Sequence, residues 1–150
     1  MPEKKTIERA RKAEAEGKAP STQAGEFVRE EIEHIREGKH GARSTRQAIA
    51  IGLSKARRAG VKLPPPKRGT VSQETRDKAE REYERAQRGE RKSTSQKRSR
   101  ATTGALRREG QAAASTKALS KQARSAAHRR SRTSRSQAAR KAARTRAKNS

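Results

Sequence analysis

A stretch without carboxylates, from Gly38 to Gly69, holds the residues whose types and spacing best suggest a chemical task. It contains nine lysines and arginines, and no aspartate or glutamate occurs between Glu37 and Glu74. Cations grouped without compensating carboxylates attract phosphate oxygens, because guanidinium and ammonium groups donate strong charge-assisted hydrogen bonds to them. The chemistry that this stretch predicts is anion binding rather than catalysis.

The cations of this stretch fall into two clusters around one predicted helix. The first cluster precedes and opens the helix, where free amides and the helix dipole also favour a phosphate, and consists of Lys39, His40, Arg43 and Arg46. The second surrounds the end of the helix and the prolines after it, and consists of Lys55, Arg57, Arg58, Lys62, Lys67 and Arg68. Gly38 and Gly41 would allow the backbone to come close to an anion.

A third set of cations lies in the C-terminal part of the chain. Residues 90–150 carry 19 lysines and arginines against Glu90 and Glu109, among many alanines and serines. Mutual repulsion and the lack of bulky apolar residues predict a disordered tail that contacts phosphates without reading bases. The expected contacts in it are Arg129, Arg130, Arg132, Arg135, Arg140, Lys141, Arg144 and Arg146.

Enzymatic and metal chemistry find little support in the residue pattern. The chain has no cysteine, and its histidines, His34, His40 and His128, lack the paired spacing of zinc ligands. His34 is expected to be an exposed helix residue. No phosphate-binding glycine loop or nucleophile elbow occurs. We therefore predict a protein without enzymatic activity, catalytic residues, metal or cofactor.

The elements that must position the cations are helical. The sequence predicts an all-α fold, a small helical hairpin or bundle with flanking helices and a long disordered basic C-terminal tail. The expected segments are an exposed charged helix at 1–18, the hairpin core with its proline-rich end at 19–69, a charged helix at 70–89 and the tail at 90–150.

Two apolar stripes at helical spacing predict the hairpin. One is formed by Ala24, Phe27, Val28, Ile32 and Ile35, and the other by Ile49, Leu53 and Ala56. Ala48 and Gly52 leave a flat strip where a neighbouring helix could approach closely. Ser44 and Gln47 have the spacing of a capping box, and Gly38 and Gly60 fit the ends of the two helices.

The overall charge bounds the class of partner. A net charge of +25 and a pI near 11.7 point to a polyanion, with double-stranded DNA favoured and RNA as a second possibility. No apolar run is long enough to cross a membrane, so no membrane partner is expected. The absence of cysteine fits a cytoplasmic setting, and DNA binding would place the chain in the nucleoid. A homodimer could form through the apolar faces that carry Phe27 and Ile49.

One segment carries a resemblance to known proteins. The run FVREEIEHIREGKHGARSTRQAIAIGLSKARRAGVKLPPP resembles a family of small basic bacterial proteins of largely uncharacterised function, often provisionally labelled DNA-binding or plasmid-stabilisation protein. The resemblance covers roughly Ala19 to Lys67 and implies no catalytic residue. The tail resembles the basic extensions of linker histones and of histone-like bacterial proteins.

The expected function is sequence-tolerant DNA binding of a nucleoid-associated or plasmid-maintenance type, acting by phosphate neutralisation and bridging. An RNA-binding or ribosome-associated protein is the first alternative, because phosphate contacts alone do not separate the two nucleic acids. A hydrophilic stress-protectant protein is the second, in view of the mean hydropathy of −1.35.

Overall fold

The chain folds into helices almost throughout. A computed structural model describes residues 2–90 and 93–149, and within these ranges the only regular elements are seven α-helices and one short 3-10 helix. The predicted all-α class is thus confirmed. The α-helices are α1 (Lys4–Ala15), α2 (Pro20–Arg36), α3 (Thr45–Arg58), α4 (Gln73–Gln87), α5 (Gln96–Arg107), α6 (Thr116–His128) and α7 (Arg132–Lys148), and the 3-10 helix is Ala112–Ala114.

Local sequence signals set the ends of α2 and α3. Gly38 and Gly60 follow the two helices with φ of 75° and 98°, a left-handed conformation that glycine adopts without strain. The hydroxyl of Ser44 accepts a hydrogen bond of 3.1 Å from the Gln47 amide, as the capping box predicts. The Gln47 side chain reaches one residue further back than in the usual box and accepts from the Arg43 amide at 2.7 Å.

The centre of the fold is the contact between α2 and α3. The two helices share the most extensive packing between any pair of helices in the described ranges. A Cβ built on Gly52 would lie 2.6 Å from the Cα of Val28, so the backbones meet where only glycine fits. Ala48 and Ala56 are fully buried beside this point, whereas Ile49 and Leu53 are only partly buried. The strip of small residues, rather than the bulkier stripe, therefore forms the main contact.

The apolar core surrounds Phe27, which is 1% exposed. Ala10, Ala24, Ala56 and Val61 pack around it, with Leu63 against their edge. The sequence predicts an exposed first helix, but α1 buries Thr6, Ala10 and Ala13 as it packs on α2. Its small side chains let it cover the core closely. The Phe27 face, expected as a dimer surface, is therefore already covered by the chain's own residues.

The fourth helix adds a further layer on α3. Ala79 is the buried residue of α4, and the two helices are in contact. The hydroxyl of Ser54 on α3 lies 2.8 Å from both carboxylate oxygens of Glu82 on α4. The Ser54 hydroxyl and the buried Ala79 thus help to join a mostly charged helix to the core.

The prediction of a long disordered tail at 90–150 is wrong. Residues 96–107, 112–114, 116–128 and 132–148 are helical, and Ala113 and Ala114 are buried. Alanine, arginine, lysine and glutamine all have high helix propensity, and this local preference outweighs the repulsion between cations. Arg91, Lys92 and Ser150 of the expected tail lie outside the described residues.

The chain divides into two compact units. The first is residues 1–115 and holds α1 to α5 with the 3-10 helix. The second, residues 116–150, holds α6 and α7 and is called the cationic unit below. In the part of the chain that the structure describes, no helix has the length and apolarity needed to cross a bilayer.

Candidate nucleic-acid interface and a buried polar cluster

The cationic unit combines a largely exposed surface with charge of one sign. Residues 116–150 contain twelve lysines and arginines and no aspartate or glutamate. Neither α6 nor α7 has a buried residue among those described. Ser131 begins α7 by accepting a hydrogen bond of 3.1 Å from the Ser134 amide. Two helices thus hold ten of these cations at fixed spacing, and Arg129 and Arg130 lie between the helices.

The cations of α7 surround the helix instead of forming one stripe. Because successive residues are rotated by about 100°, Arg132, Arg135 and Arg146 fall on one side, and Arg140, Lys141, Arg144 and Lys148 on the other. The eight predicted contacts of the expected tail are all exposed: Arg129, Arg130, Arg132, Arg135, Arg140, Lys141, Arg144 and Arg146. Such a helix can meet phosphates on two sides at once.

Of the first predicted cluster, Arg43 and Arg46 point outward. The Arg43 side chain is 81% exposed and stays 4.0 Å from Glu109, while Arg46 is exposed and pairs with no carboxylate of the described residues. Lys39 is exposed but lies 3.0 Å from Glu37, and their hydrogen bond raises the pKa of Lys39. Its charge is therefore already partly neutralised.

The loop that precedes α3 is held by the chain itself. The Gly41 amide donates to the Leu106 carbonyl at 2.8 Å, and the Ala42 amide donates to the Gly110 carbonyl at 3.1 Å. A Cβ on Gly41 would lie 2.0 Å from the carbonyl oxygen of Glu109. The close backbone approach that the sequence suggests at Gly41 thus serves the 106–114 segment, which lies there in place of an anion.

The second predicted cluster separates into inward and outward residues. Arg57 is buried and donates from its guanidinium to the carbonyls of Leu63 and Pro64, both at 3.3 Å. Burial lowers the pKa of Arg57 and the Glu82 carboxylate opposes this effect. Lys55 turns towards Glu31 and forms an ion pair with it. The outward residues are exposed: Arg58, Lys62, Lys67 and Arg68.

A buried polar cluster beside α2 was not expected from the sequence. Glu30 and Glu31 are only 2% and 1% exposed, and the side chains of His34 and His40 are 15% and 13% exposed. The prediction of an exposed His34 is therefore wrong. The two imidazole rings lie edge to face with centroids 6.1 Å apart. The signal in the sequence is the spacing Glu31-x-x-His34, which places both side chains on one face of a helix.

The contacts within the cluster join three parts of unit 1. Glu31 lies 3.2 Å from Nε2 of His40 in the loop and also pairs with Lys55 on α3. Glu30 accepts a 2.6 Å hydrogen bond from the Glu3 amide. The Glu3 carboxylate lies 2.9 Å from Nε2 of His34, and this bond is the main cause that lowers the pKa of Glu3.

The comparisons with known proteins find a match of part of the chain to one family and indicate no activity. Residues 4–68 match a family described only as a family of unknown function, DUF6496. That match spans α1 to α3 and the proline segment, and therefore includes the buried polar cluster but not the cationic unit. No curated protein matches the chain, and no solved structure does either.

Proposed function

We propose that the protein binds double-stranded DNA through its phosphates, with the cationic unit as the principal contact. The observation that carries the proposal is a unit with twelve cations and no acid, ten of them on two helices without buried residues and two, Arg129 and Arg130, between those helices. A surface of this kind favours any polyanion, and counterion release makes its binding to duplex DNA strong at low salt.

The geometry of α7 supports duplex DNA in particular. The major groove is about 12 Å wide and admits an α-helix, with phosphates along both of its edges. A helix with arginines on opposite sides, such as Arg135 and Arg144, can reach both edges at once. Gln137 is the one amide side chain in α7, and its other residues include no aromatic side chain, so contacts to phosphate dominate and binding tolerates many sequences.

Unit 1 supplies a second, weaker set of contacts. Within the stretch 38–69, the exposed cations without a carboxylate partner among the described residues are Arg46, Arg58, Lys62, Lys67 and Arg68. The cationic unit and the exposed cations of unit 1 can together hold two segments of DNA, or two sites on one segment. Each contact then raises the effective concentration of the other. This supports bridging of DNA and a nucleoid-associated or plasmid-maintenance role.

The salt dependence of binding tests the proposal in the full chain. We would measure the affinity for a labelled duplex by fluorescence anisotropy at several salt concentrations. The variant R140Q/K141Q/R144Q should flatten the slope of log K against log salt by up to about 2.7, since each lost phosphate contact accounts for about 0.9.

A matched control keeps the change in net charge constant. The variant K18Q/R29Q/R88Q also removes three cations, but each of these lies within 3.2 Å of a carboxylate. It should change the slope far less. Equal slopes for the two variants would show that net charge alone matters and would overturn the role of α7. Equal or tighter binding of structured RNA in competition would favour the RNA reading instead.

A further inference from the structure

We propose that Glu31, His34 and His40 form a binding site for a divalent metal ion, with Zn²⁺ as the preferred ion. Each residue offers one ligand atom, and these atoms all lie within 4.8 Å of one another. Glu31 and His34 come from α2, and His40 comes from the loop before α3. The site is independent of the cationic unit and of DNA binding.

The hydrogen bonds of His40 indicate that a cation belongs beside it. Its Nδ1 lies 2.9 Å from the carbonyl oxygen of Gly41, which can only accept, so Nδ1 carries the proton. In a neutral imidazole Nε2 is then an acceptor, yet it lies 3.2 Å from Oε2 of Glu31, which also accepts. Two lone pairs facing each other are unfavourable unless a proton or a metal ion lies between them. The backbone bond at Nδ1 is also the usual outer contact of a metal-binding histidine.

Negative charge in the buried polar cluster that no described cation neutralises also indicates a metal ion. Glu30 and Glu31 are adjacent and buried, and Lys55 pairs with Glu31 only. Oε2 of Glu30 is buried and accepts no hydrogen bond from any described residue. A buried carboxylate needs a nearby positive charge, since burial in low dielectric otherwise makes the charged form costly. A divalent ion beside His34 would supply that charge.

The ligand set selects zinc over the hard cations. Two imidazoles and one carboxylate match a common zinc site with one position open, whereas Mg²⁺ and Ca²⁺ prefer oxygen ligands alone. A second set, Glu3, Glu30 and His34, also has its ligand atoms within 4.8 Å of one another but contains only one imidazole. It also relies on Glu3, which is exposed. The set with both histidines therefore fits Zn²⁺ better.

Titration of the metal-stripped full chain with Zn²⁺ alone, without nucleic acid, tests the site by calorimetry. We expect one equivalent of Zn²⁺ to bind and Mg²⁺ not to compete. The variants H34Q and H40Q should each weaken Zn²⁺ binding by at least about 100-fold, because loss of a ligand costs more than loss of an outer contact of a ligand. H128Q is the matched control, because His128 lies at the end of α6 and is exposed. Undiminished binding in H34Q and H40Q, or loss in H128Q, would overturn the proposal.

A second measurement uses the parent protein and does not depend on the variants folding. The chain has three histidines, so its imidazole proton signals can be assigned with H128Q alone setting His128 apart. Paramagnetic Co²⁺ as a substitute for Zn²⁺ should broaden or shift the signals of His34 and His40, as expected for direct ligands of the ion. Unchanged signals for both histidines at one equivalent of Co²⁺ would mean that a proton, not a metal ion, lies between His40 and Glu31, and would overturn the proposal.

Discussion

Gly52 on α3 meets Val28 on α2 so closely that a Cβ on Gly52 would lie 2.6 Å from the Val28 Cα and 2.8 Å from its nitrogen. Both atoms belong to backbone, which cannot move aside as a flexible side chain can. The separation of the two central helices is therefore fixed at a position where no other residue fits.

Substitution of Gly52 by alanine should destabilise unit 1. Overpacking against the Val28 backbone should lower the free energy of unfolding by about 1–3 kcal/mol, measured by chemical denaturation followed by circular dichroism. G25A is the matched control, because Gly25 lies in α2 with nothing within 4 Å of a built Cβ. It should stabilise by about 0.5–1 kcal/mol. Stability of G52A equal to the parent would contradict the close approach.

The 106–114 segment should be held less strongly to α3 when Thr45 becomes valine. Oγ1 of Thr45 donates a buried hydrogen bond of 2.6 Å to the Ala113 carbonyl. T45V keeps the shape but leaves that carbonyl unpaired, which should cost about 1–3 kcal/mol of stability. In T70V, Thr70 loses a bond of the same length to the Lys67 carbonyl at an exposed site. That carbonyl can bond to water, so T70V should change stability by less than about 0.5 kcal/mol. Equal losses in the two variants would argue against the burial of the Thr45 bond.

Neighbouring arginines at the end of α3 should separate stability from DNA binding. Arg57 is buried and donates to the carbonyls of Leu63 and Pro64, so R57Q should lower the free energy of unfolding by about 1–3 kcal/mol. Arg58 is exposed, so R58Q should leave stability within about 0.5 kcal/mol. On the proposed function, R58Q should flatten the salt dependence of DNA binding and R57Q should not. The reverse pattern would show that Arg57 reaches the nucleic acid.

The pKa of Glu16 should depend on Lys18. The Lys18 ammonium, 2.8 Å from the carboxylate, holds the pKa of Glu16 below its ordinary value through a hydrogen bond and charge attraction. A lowered folded-state pKa means that the pair stabilises the fold above the unfolded-state pKa, and that this effect is lost as pH falls through the folded-state value. K18Q should raise the pKa of Glu16 towards the ordinary value, as NMR titration of the side-chain carboxyl would record. R29Q, which removes the partner of Glu33, should leave Glu16 unchanged; an unshifted Glu16 in K18Q would refute the pairing.

Local signals in the sequence predicted the start of α3 and the C-terminal ends of α2 and α3, but not the start of α2, which begins at Pro20 without a side-chain cap. The cap at Ser44 and the left-handed Gly38 and Gly60 depend on residues three or four positions apart, and such short-range chemistry can be read directly. The close approach at Ala48 and Gly52 could also be predicted, because small side chains at helical spacing have few other uses. The sequence could not show that this strip, rather than Ile49 and Leu53, forms the main contact, because that depends on the opposing surface of α2.

The candidate site was harder to predict because its residues meet partners far away in sequence. Lys55 and Arg57 look like surface cations until Glu31 and the carbonyl of Leu63 are placed beside them. His34 and His40 come together because the loop after α2 turns back on the helix. The tail was predicted to be disordered because repulsion between its cations and its lack of bulky apolar residues were given more weight than the helix propensity of its alanines, and the burial of Ala113 and Ala114 was not foreseen.

The hydrogen bonds from Gly41 to Leu106 and from Ala42 to Gly110 join two segments that the ribosome synthesises at different times. A ribosome adds about 5–20 residues per second, so the partners of this loop leave the ribosome roughly 3–14 seconds after the loop itself. The three N-terminal helices can associate in that interval, but the loop that carries His40 cannot yet make these bonds. Contacts between such distant positions also close slowly for entropic reasons. In a newly synthesised chain, the contact between this loop and the 106–114 segment is therefore among the last to form.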